Sequence, residues 1–278
     1  TVIASARQIR EQEGVVPNLV DKVTLGEGTG VSWNEVSMAQ LTAQTVTETT
    51  RLDNPQQMSD TLLTITPTVV GIHTLITDRV AARISKNAYA KVGSLAQNAI
   101  QRKKDEDGLT AIDGASLTIG SSGSALTTGM IAAAVSRISS DADEPGNPPY
   151  RAVLHGFQIK DLYDAVASIS SGNPPSQGLT DGLSARVFQE GFRGRIHNCE
   201  IYEDGNIDAS SNAAKGGIFA QEALILVQGR SPRTETRREP HIGGGSTSVF
   251  LYDEYAYGER SAGNWLFEVE TDATLPTT

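Results

Sequence analysis

Cysteine is nearly absent from this 278-residue sequence, which contains only Cys199. A single cysteine excludes an internal disulfide framework and a cysteine-rich zinc module, and it gives no indication of secretion. The longest apolar runs, residues 131–135 and 223–227, are far shorter than the roughly 20 residues of a membrane-spanning helix. We therefore expect no membrane partner.

Positive charge is also scarce. The chain carries 23 Lys and Arg against 33 Asp and Glu, for a formal net charge of −10. The basic residues form no long block, so the electrostatic footprint of a dedicated nucleic-acid binder is missing. Aromatic residues make up only 5% of the chain, yet three of its seven tyrosines stand together in residues 251–273. The abundance of Gly, Ser and Thr favours β-structure and loops.

Motifs that carry catalytic or cofactor chemistry are missing or incomplete. GEGTG at 26–30 lacks the preceding apolar strand and the following helix of a dinucleotide-binding loop. KKDEDGLTAIDG at 103–114 matches a calcium-binding loop only in its middle, and we interpret it as a solvated helix end. His197 and Cys199 are predicted to lie on one strand face ~7 Å apart, too far for direct proton transfer. We expect no catalytic residue, cofactor or metal, and no enzyme activity.

The first half of the chain divides into an arm, a hairpin and a helix. Residues 1–30 show little periodic apolar patterning and indicate an extended arm that does not fold alone. Residues 31–77 are β-prone on both sides of a turn signal around Asp53, which predicts a long hairpin. An isolated ribbon of this kind is marginal in water, so it needs a surface to lie on. From Ser85 to near Gly108, apolar residues recur at helical spacing and predict a helix of roughly 33 Å.

The second half alternates helix and strand signals. The predicted elements are, in order, a helix in 126–140, a strand and an amphipathic helix in 151–169, a strand entering a turn at Asp204, a helical turn and strand in 217–229, and a β-ribbon in 251–273. Between the last two lies the arginine-rich stretch RSPRTETRREP. In isolation this stretch is usually a solvated loop, but it could equally be half of a charge pattern between subunits.

Five stretches carry a resemblance to a known family: LLTITPTVVGIHTLITDRVAARIS, KNAYAKVGSLAQNAIQRKKDEDGL, YRAVLHGFQIKDLYDAV, GGIFAQEALILVQG and YDEYAYGERSAGNWLFEVETDA. In this order they resemble the major capsid protein of tailed bacteriophages, with the HK97-type fold. The resemblance implies an α+β fold made of an N-terminal arm (1–30), an extended E-loop (31–60), a peripheral domain with a long spine helix (61–114), an axial α/β domain (115–245) and a C-terminal ribbon returning to the peripheral domain (246–278). In such a fold, the ribbon pairs with the strand before the spine helix, and its aromatic side chains fill a thin peripheral domain.

The resemblance also implies a structural role. Identical subunits would assemble into hexamers and pentamers of an icosahedral head shell that encloses phage double-stranded DNA without sequence-specific binding. The other implied partners are scaffold, portal and decoration proteins, and the implied location is the virion, assembled in the host bacterial cytoplasm. The candidate contacts between subunits are Trp33, Arg51, Asp53, Arg230, Arg233, Arg237, Arg238 and Glu239.

Two alternatives remain open from the sequence. An encapsulin-like nanocompartment shell protein would share the fold but enclose a cargo enzyme instead of DNA. A secreted carbohydrate-binding β-rich protein would need aromatic platforms, and a hydrolytic one would need two positioned carboxylates. The chain has only two tryptophans and no evident acid pair, so this second alternative is the weaker one.

Overall fold

The computed structural model describes residues 12, 14–28, 30–51, 55–58, 60–84, 88–171, 194–260 and 264–277. The helices are α1 (Val16–Leu19), α2 (Asp78–Ile84), α3 (Ala88–Asp113), α4 (Thr128–Ser139) and α5 (Gly156–Ser171). The strands are β1 (Asp21–Thr24), β2 (Trp33–Met38), β3 (Asp60–Ile65), β4 (Thr68–Thr77), β5 (Thr118–Gly120), β6 (Tyr150–Leu154), β7 (Arg195–Ile196), β8 (Cys199–Glu203), β9 (Ala213–Ala220), β10 (Leu224–Glu239), β11 (Ser246–Glu259) and β12 (Leu266–Asp272). No helix in these described ranges is both long enough and apolar enough to cross a membrane.

A four-stranded sheet in the order β1-β10-β11-β4 carries the long helix α3. Strand β1 runs parallel to β10, and the other pairs are antiparallel. Strand β11 pairs with β4 from Ser246 opposite Thr77 to Tyr255 opposite Thr68. The prediction that the tyrosine-rich segment pairs with the strand before the long helix is therefore confirmed.

A six-stranded mixed sheet, in the order β5-β12-β9-β6-β8-β7, supports most of the core. The predicted helix in 126–140 is present as α4, which Thr127 caps by accepting a hydrogen bond from the Met130 amide. The predicted strand and helix in 151–169 are β6 and α5. The largest fully buried side chains of this part of the molecule include Ile131, Leu154, Leu162, Phe219, Leu266 and Phe267.

The resemblance implies a boundary at residue 245 between the axial domain and the C-terminal ribbon, and two strands pair across that boundary. Strand β10 was placed with the axial segment but pairs in the four-stranded sheet. Strand β12 was placed with the returning ribbon but lies between β5 and β9 in the six-stranded sheet. Strands β11 and β12 therefore do not form one ribbon, because each finds its partners in a different sheet. The division into arm, E-loop, peripheral and axial domains stays a prediction.

Helix α3 extends beyond its predicted end. It passes through Gly108 to Asp113, while Ser85, the predicted cap, lies outside the described residues. Helix α3 ends within 103–114 as predicted, but Lys104 and Asp105 are only 6% and 0% exposed, so the interpretation of a solvated helix end is wrong for these two residues. The physical reason is that both charged groups have partners in other parts of the chain.

Residues 16–24 of the predicted arm pack against the body of their own chain. Val16, Leu19 and Val20 are buried in the main hydrophobic core. Strand β1 then pairs with Ile225–Gln228 of β10. The apolar run VVPNLV is only six residues long, too short to show a period, so its burial depends on surfaces that the fold supplies.

A turn corrects the placement of His197 and Cys199. His197 and Asn198 have positive φ angles of 46° and 67°, and they form the turn between β7 and β8. The imidazole therefore does not share a strand face with the thiol. Burial also raises the pKa of the Cys199 thiol to about 12, which keeps it protonated.

Candidate subunit-contact surfaces

The hairpin of β2 and β3 presents an unusual amount of exposed apolar surface. The two strands pair from Trp33 opposite Ile65 to Met38 opposite Asp60. Seven of the thirteen exposed large apolar side chains in the described residues lie in this hairpin and its flanks: Val31, Val36, Met38, Leu41, Val46, Met58 and Leu62. Such a concentration is typical of a surface that another molecule covers.

The distal loop of the hairpin is held by side-chain contacts instead of a core. Gln56 accepts a hydrogen bond from the Thr42 amide at 2.8 Å and donates one to the Thr42 carbonyl at 2.5 Å. Nearer its base, Gln40 donates to the carbonyl of Asp143 at 2.5 Å. The Gln56 bonds join the two arms of the loop, and the Gln40 bond joins the loop to the segment between α4 and β6.

The root of the hairpin is fixed by Arg260. Its Nε lies 2.7 Å from Glu35 Oε2 on β2, and its Nη1 lies 2.8 Å from Asp21 Oδ2 on β1. The guanidinium also lies over the Trp33 ring, 5.8 Å from its centroid. One side chain therefore ties the arm strand, the hairpin and the end of β11 together, and Trp33 has its contact within its own chain.

The arginine-rich stretch is the outer half of strand β10. Strand β1 ends opposite Gln228, so residues 230–239 pair only with β11 among the described strands. The expectation of a loop is wrong for these residues. In RTETRRE (233–239), the charged residues Arg233, Glu235, Arg237 and Glu239 occupy every second position. This period of two is the sequence signal for an exposed strand.

Charges alternate along one face of this edge. The register places Arg233, Glu235 and Arg237 opposite Tyr252, Phe250 and Ser248 of β11, so all lie on the sheet face away from α3. Each arginine has a carboxylate near it, Arg233 at 3.6 Å from Glu235 and Arg237 at 3.1 Å from Glu239. The edge is therefore charged yet nearly balanced in sign.

Aromatic rings continue this face across the sheet. The His73 ring stacks on Phe250 with centroids 4.3 Å apart, and Phe250 lies parallel to Tyr252 at 6.2 Å. The Arg233 guanidinium lies 5.4 Å from the Tyr252 centroid. Tyr255, by contrast, faces α3, where it is buried and donates a hydrogen bond to Asp107. The tyrosine-rich segment thus contributes to both faces of the sheet. Tyr255 packs on the inner face, toward α3, and Tyr252 lies on the outer face, away from α3.

Arg238 points to the opposite face of β10 and binds its own chain. Its two terminal nitrogens lie 2.6 and 2.5 Å from the two oxygens of Asp78, the first residue of α2. These hydrogen bonds hold the pKa of Asp78 below its ordinary value. The pair fastens the end of the hairpin β10–β11 to α2, beside the turn of Gly243, Gly244 and Gly245, all with positive φ.

Solved structures match this architecture over nearly its whole length. The capsid asymmetric unit of Cyanophage Pam1 has a TM-score of 0.76 at 10% identity, covering 98% of this chain and 95% of that one. The acidic stable capsid structure of Helicobacter pylori bacteriophage KHP30 has a TM-score of 0.74 at 11% identity, with coverages of 98% and 95%. Mycobacterium phage Che8 gives 0.69 at 16% identity, with coverages of 95% and 94%.

The chain has the α+β fold of phage capsid proteins, as the resemblance implied. No family model matches the sequence, and neither does any curated protein. At identities of 10–16%, the likeness establishes the capsid fold itself and leaves the particular role of this chain to be tested.

Within the capsid fold, the residues predicted to contact neighbouring subunits fall into three groups. Trp33 lies at the hairpin root, and Arg51 is exposed on the hairpin loop. Asp53 lies outside the described residues. The remaining group shares strand β10: Arg230, Arg233, Arg237, Arg238 and Glu239. Their contact with another copy of the chain stays a prediction.

In the part of the chain that the structure describes, no group of three or more His, Cys, Asp or Glu side chains could hold a metal ion. The candidate contact surfaces described above are a hairpin and a sheet edge.

Proposed function

We propose that this chain is the major capsid protein of a tailed bacteriophage, a shell subunit that assembles with identical copies into hexamers and pentamers. The observation that carries the proposal is coverage. The match to the Cyanophage Pam1 capsid spans 98% of this chain and 95% of that one, so almost all of this chain shares the architecture of a capsid subunit.

The exposed hairpin supports the same role. Leu41, Val46 and Met58 are more than half exposed, although such side chains are normally buried. A second copy that covers them removes this apolar surface from water, which stabilises the association. Obligate contacts between subunits commonly bury about 2,000 to 5,000 Å². In this proposal, identical neighbours supply the surface that the hairpin lacks in a single chain.

The charge of the chain supports a container for DNA. The formal net charge is −10, and the arginines on the outer face of β10 have carboxylates beside them. A shell presents its inner wall many times over, so even modest phosphate binding by each copy would sum to an adhesive surface. An acidic subunit encloses double-stranded DNA without holding it. The proposed location is the virion, after assembly in the host bacterial cytoplasm.

Scaffold, portal and decoration proteins complete the proposed set of partners. They follow from the role of a head shell, which needs a means of setting its size and an entrance for DNA. Co-expression of the chain with candidate proteins from the same genome, followed by co-purification with assembled particles, tests each partner separately.

Negative-stain electron microscopy of the expressed full-length chain tests the main proposal. Closed shells, or rings of five and six subunits, are the expected result. A monodisperse monomer at every salt concentration, and in the presence of any scaffold, would contradict it. Enclosed double-stranded DNA in native particles distinguishes a phage head from an encapsulin-like compartment, which would contain a cargo enzyme instead. The α+β capsid fold does not support the carbohydrate-binding β-rich alternative.

A further inference from the structure

The N-terminal segment is bound to the body of the protein by a buried aspartate of α3. The Val16 amide donates a hydrogen bond of 3.0 Å to Asp105 Oδ1, and the Asp105 side chain is completely buried. Gly14 packs against the same carboxyl group, and a Cβ at that position would overlap Asp105 Cγ. Position 14 therefore accepts only glycine, because its backbone lies directly over the Asp105 carboxyl group.

A second buried aspartate lies beside the first. Asp204, also completely buried, accepts the Val15 amide at 3.4 Å and the Asn206 amide at 2.9 Å. Asn206 in turn donates from its side chain to Asp105 Oδ2 at 2.9 Å. The Asn206 residue therefore bridges the two buried carboxyl groups, with its backbone amide on Asp204 and its side-chain amide on Asp105.

The basic groups of α3 are directed away from this pair. Lys104 lies 2.6 Å from Asp253, and Lys103 lies 2.6 Å from Asp107. Asp107 itself accepts the Tyr255 hydroxyl, so it does not face the pair.

The other elements around the pair contribute three titratable side chains and one arginine. From β11, the Tyr257 hydroxyl is buried and has no hydrogen-bond partner among the described residues; burial raises its pKa, with a further rise from Asp105. At the end of β6, His155 interacts with Asp204 and Glu203, and burial lowers its pKa, which favours the neutral ring. Arg151 of β6 donates to the Leu19 carbonyl, at the far end of the docked segment.

We propose that Asp105 and Asp204 form a proton-dependent latch that holds residues 14–20 against the body of the protein. The latch is closed while Asp105 carries a proton, and it loosens when Asp105 is ionised beside the buried Asp204 carboxyl group. Two adjacent negative charges without a cation repel each other in a buried site, and separation of the segment admits water to both.

The direction of the pH dependence follows from proton uptake. Burial raises the pKa of Asp105 from 3.8 to about 7, with a further rise from Asp204. Between these two values, the docked state binds a proton that the undocked state, open to water, has released. Raising the pH through this window therefore weakens docking, by at most about tenfold per pH unit, and above it the effect levels off.

Hydrogen–deuterium exchange of residues 14–20 in the full-length protein measures this docking between pH 5 and 8. Rates are corrected with an unstructured peptide of the same sequence, which removes the intrinsic pH effect on exchange. We expect protection to fall as the pH rises toward 7. Uniform protection of the wild-type segment across the whole range would overturn the proposal, whatever the variants do.

Two near-isosteric variants test which groups carry the effect. Asp105→Asn removes the buried titrating group, so protection should become independent of pH. Asp204→Asn removes the neighbouring carboxyl group but leaves Asp105 buried, so the fall in protection should level off at a lower pH than in the wild type. A wild-type slope in both variants would assign the pH effect to other groups and overturn the latch.

Two further variants are controls, one expected to keep the wild-type pH dependence and one expected to abolish docking. Glu106→Gln removes a charge from the adjacent, exposed position of α3 and should retain the wild-type slope. Gly14→Ala places a methyl group against Asp105 and should leave residues 15–20 exchanging rapidly at every pH; continued protection would count against the docking geometry. All these exchange rates are measured on the single chain, so their outcome does not depend on whether the chain assembles into a shell.

Discussion

Lys104 and Asp253 form a buried ion pair between helix α3 and strand β11, with 2.6 Å between the ammonium nitrogen and Oδ2. Both side chains are at most 7% exposed. Lys104 also lies 4.7 Å from the centroid of the Tyr255 ring. The pair fixes the rotation of α3 on the four-stranded sheet, since a turn of the helix would leave both charges buried without partners.

Removal of one partner of this pair should destabilise the protein strongly. We expect Lys104→Ala to lower the free energy of unfolding by about 3–5 kcal/mol, because Asp253 is left as an uncompensated buried charge. The neighbouring Lys103→Ala is a matched control, since Lys103 is 51% exposed and its pair with Asp107 is worth only about 0.3–0.5 kcal/mol. Urea unfolding measures both. Equal effects would show that the buried pair has no special role.

The exposed leucines offer a test that separates assembly from stability. Leu41 in the hairpin is 62% exposed, and Leu275 near the C-terminus is 67% exposed. Leu41→Ser should change the free energy of unfolding of the subunit by less than about 0.5 kcal/mol, as for most surface changes, yet reduce assembly. Leu275→Ser should leave both unchanged. Thermal unfolding and negative-stain particle counts give the two readings, and normal shells from Leu41→Ser would exclude this side chain from the contact.

Arg260 is expected to control the attachment of the hairpin. Arg260→Ala loses the contacts with Asp21, Glu35 and Trp33, and we expect a loss of about 1–3 kcal/mol, typical of hydrogen bonds to charged groups. Hydrogen exchange in β1 and β2 should become faster in the same variant.

The comparison for this experiment is Arg230→Ala. Arg230 is 73% exposed and lies 3.9 Å from Glu254, so its loss should have little effect on unfolding or exchange. If the two variants behave alike, the Arg260 contacts do not fix the hairpin root.

Purified subunits should bind double-stranded DNA weakly even at low salt. The net charge of −10 and the pairing of the β10 arginines leave few cations to release counterions from phosphate. We expect a dissociation constant weaker than about 10 µM at 50 mM salt, measured by fluorescence anisotropy with a labelled duplex. Submicromolar binding would contradict the proposal of a non-adhesive inner wall.

Local patterns in the sequence predicted much of the fold. Apolar spacing identified α4 and α5, and β-branched residues located β4 up to its end at Thr77. These elements were predictable because each carries its periodicity within its own residues. The order of such elements, compared with a known family, also predicted the pairing of β11 with β4.

The candidate surfaces were less predictable. The outer half of β10 looked like a loop, since both of its faces are polar and no apolar alternation marks it as a strand. The exposure of the hairpin was expected, but its attachment through Arg260 was not, since that arginine is distant in sequence from Asp21 and Glu35.

By itself, the sequence determined the acidic balance, the succession of helices and strands, and a two-stranded hairpin that cannot form its own core. Tertiary structure alone decided where the buried charges lie. From its neighbours Lys104 and Glu106, Asp105 is predicted to be exposed to solvent. It is buried, because it accepts hydrogen bonds from Val16 and Asn206, which are 89 and 101 residues away in the sequence. Periodicity reports only the nearest turns of the chain, and the free energy of burying a charge depends on partners brought from everywhere else.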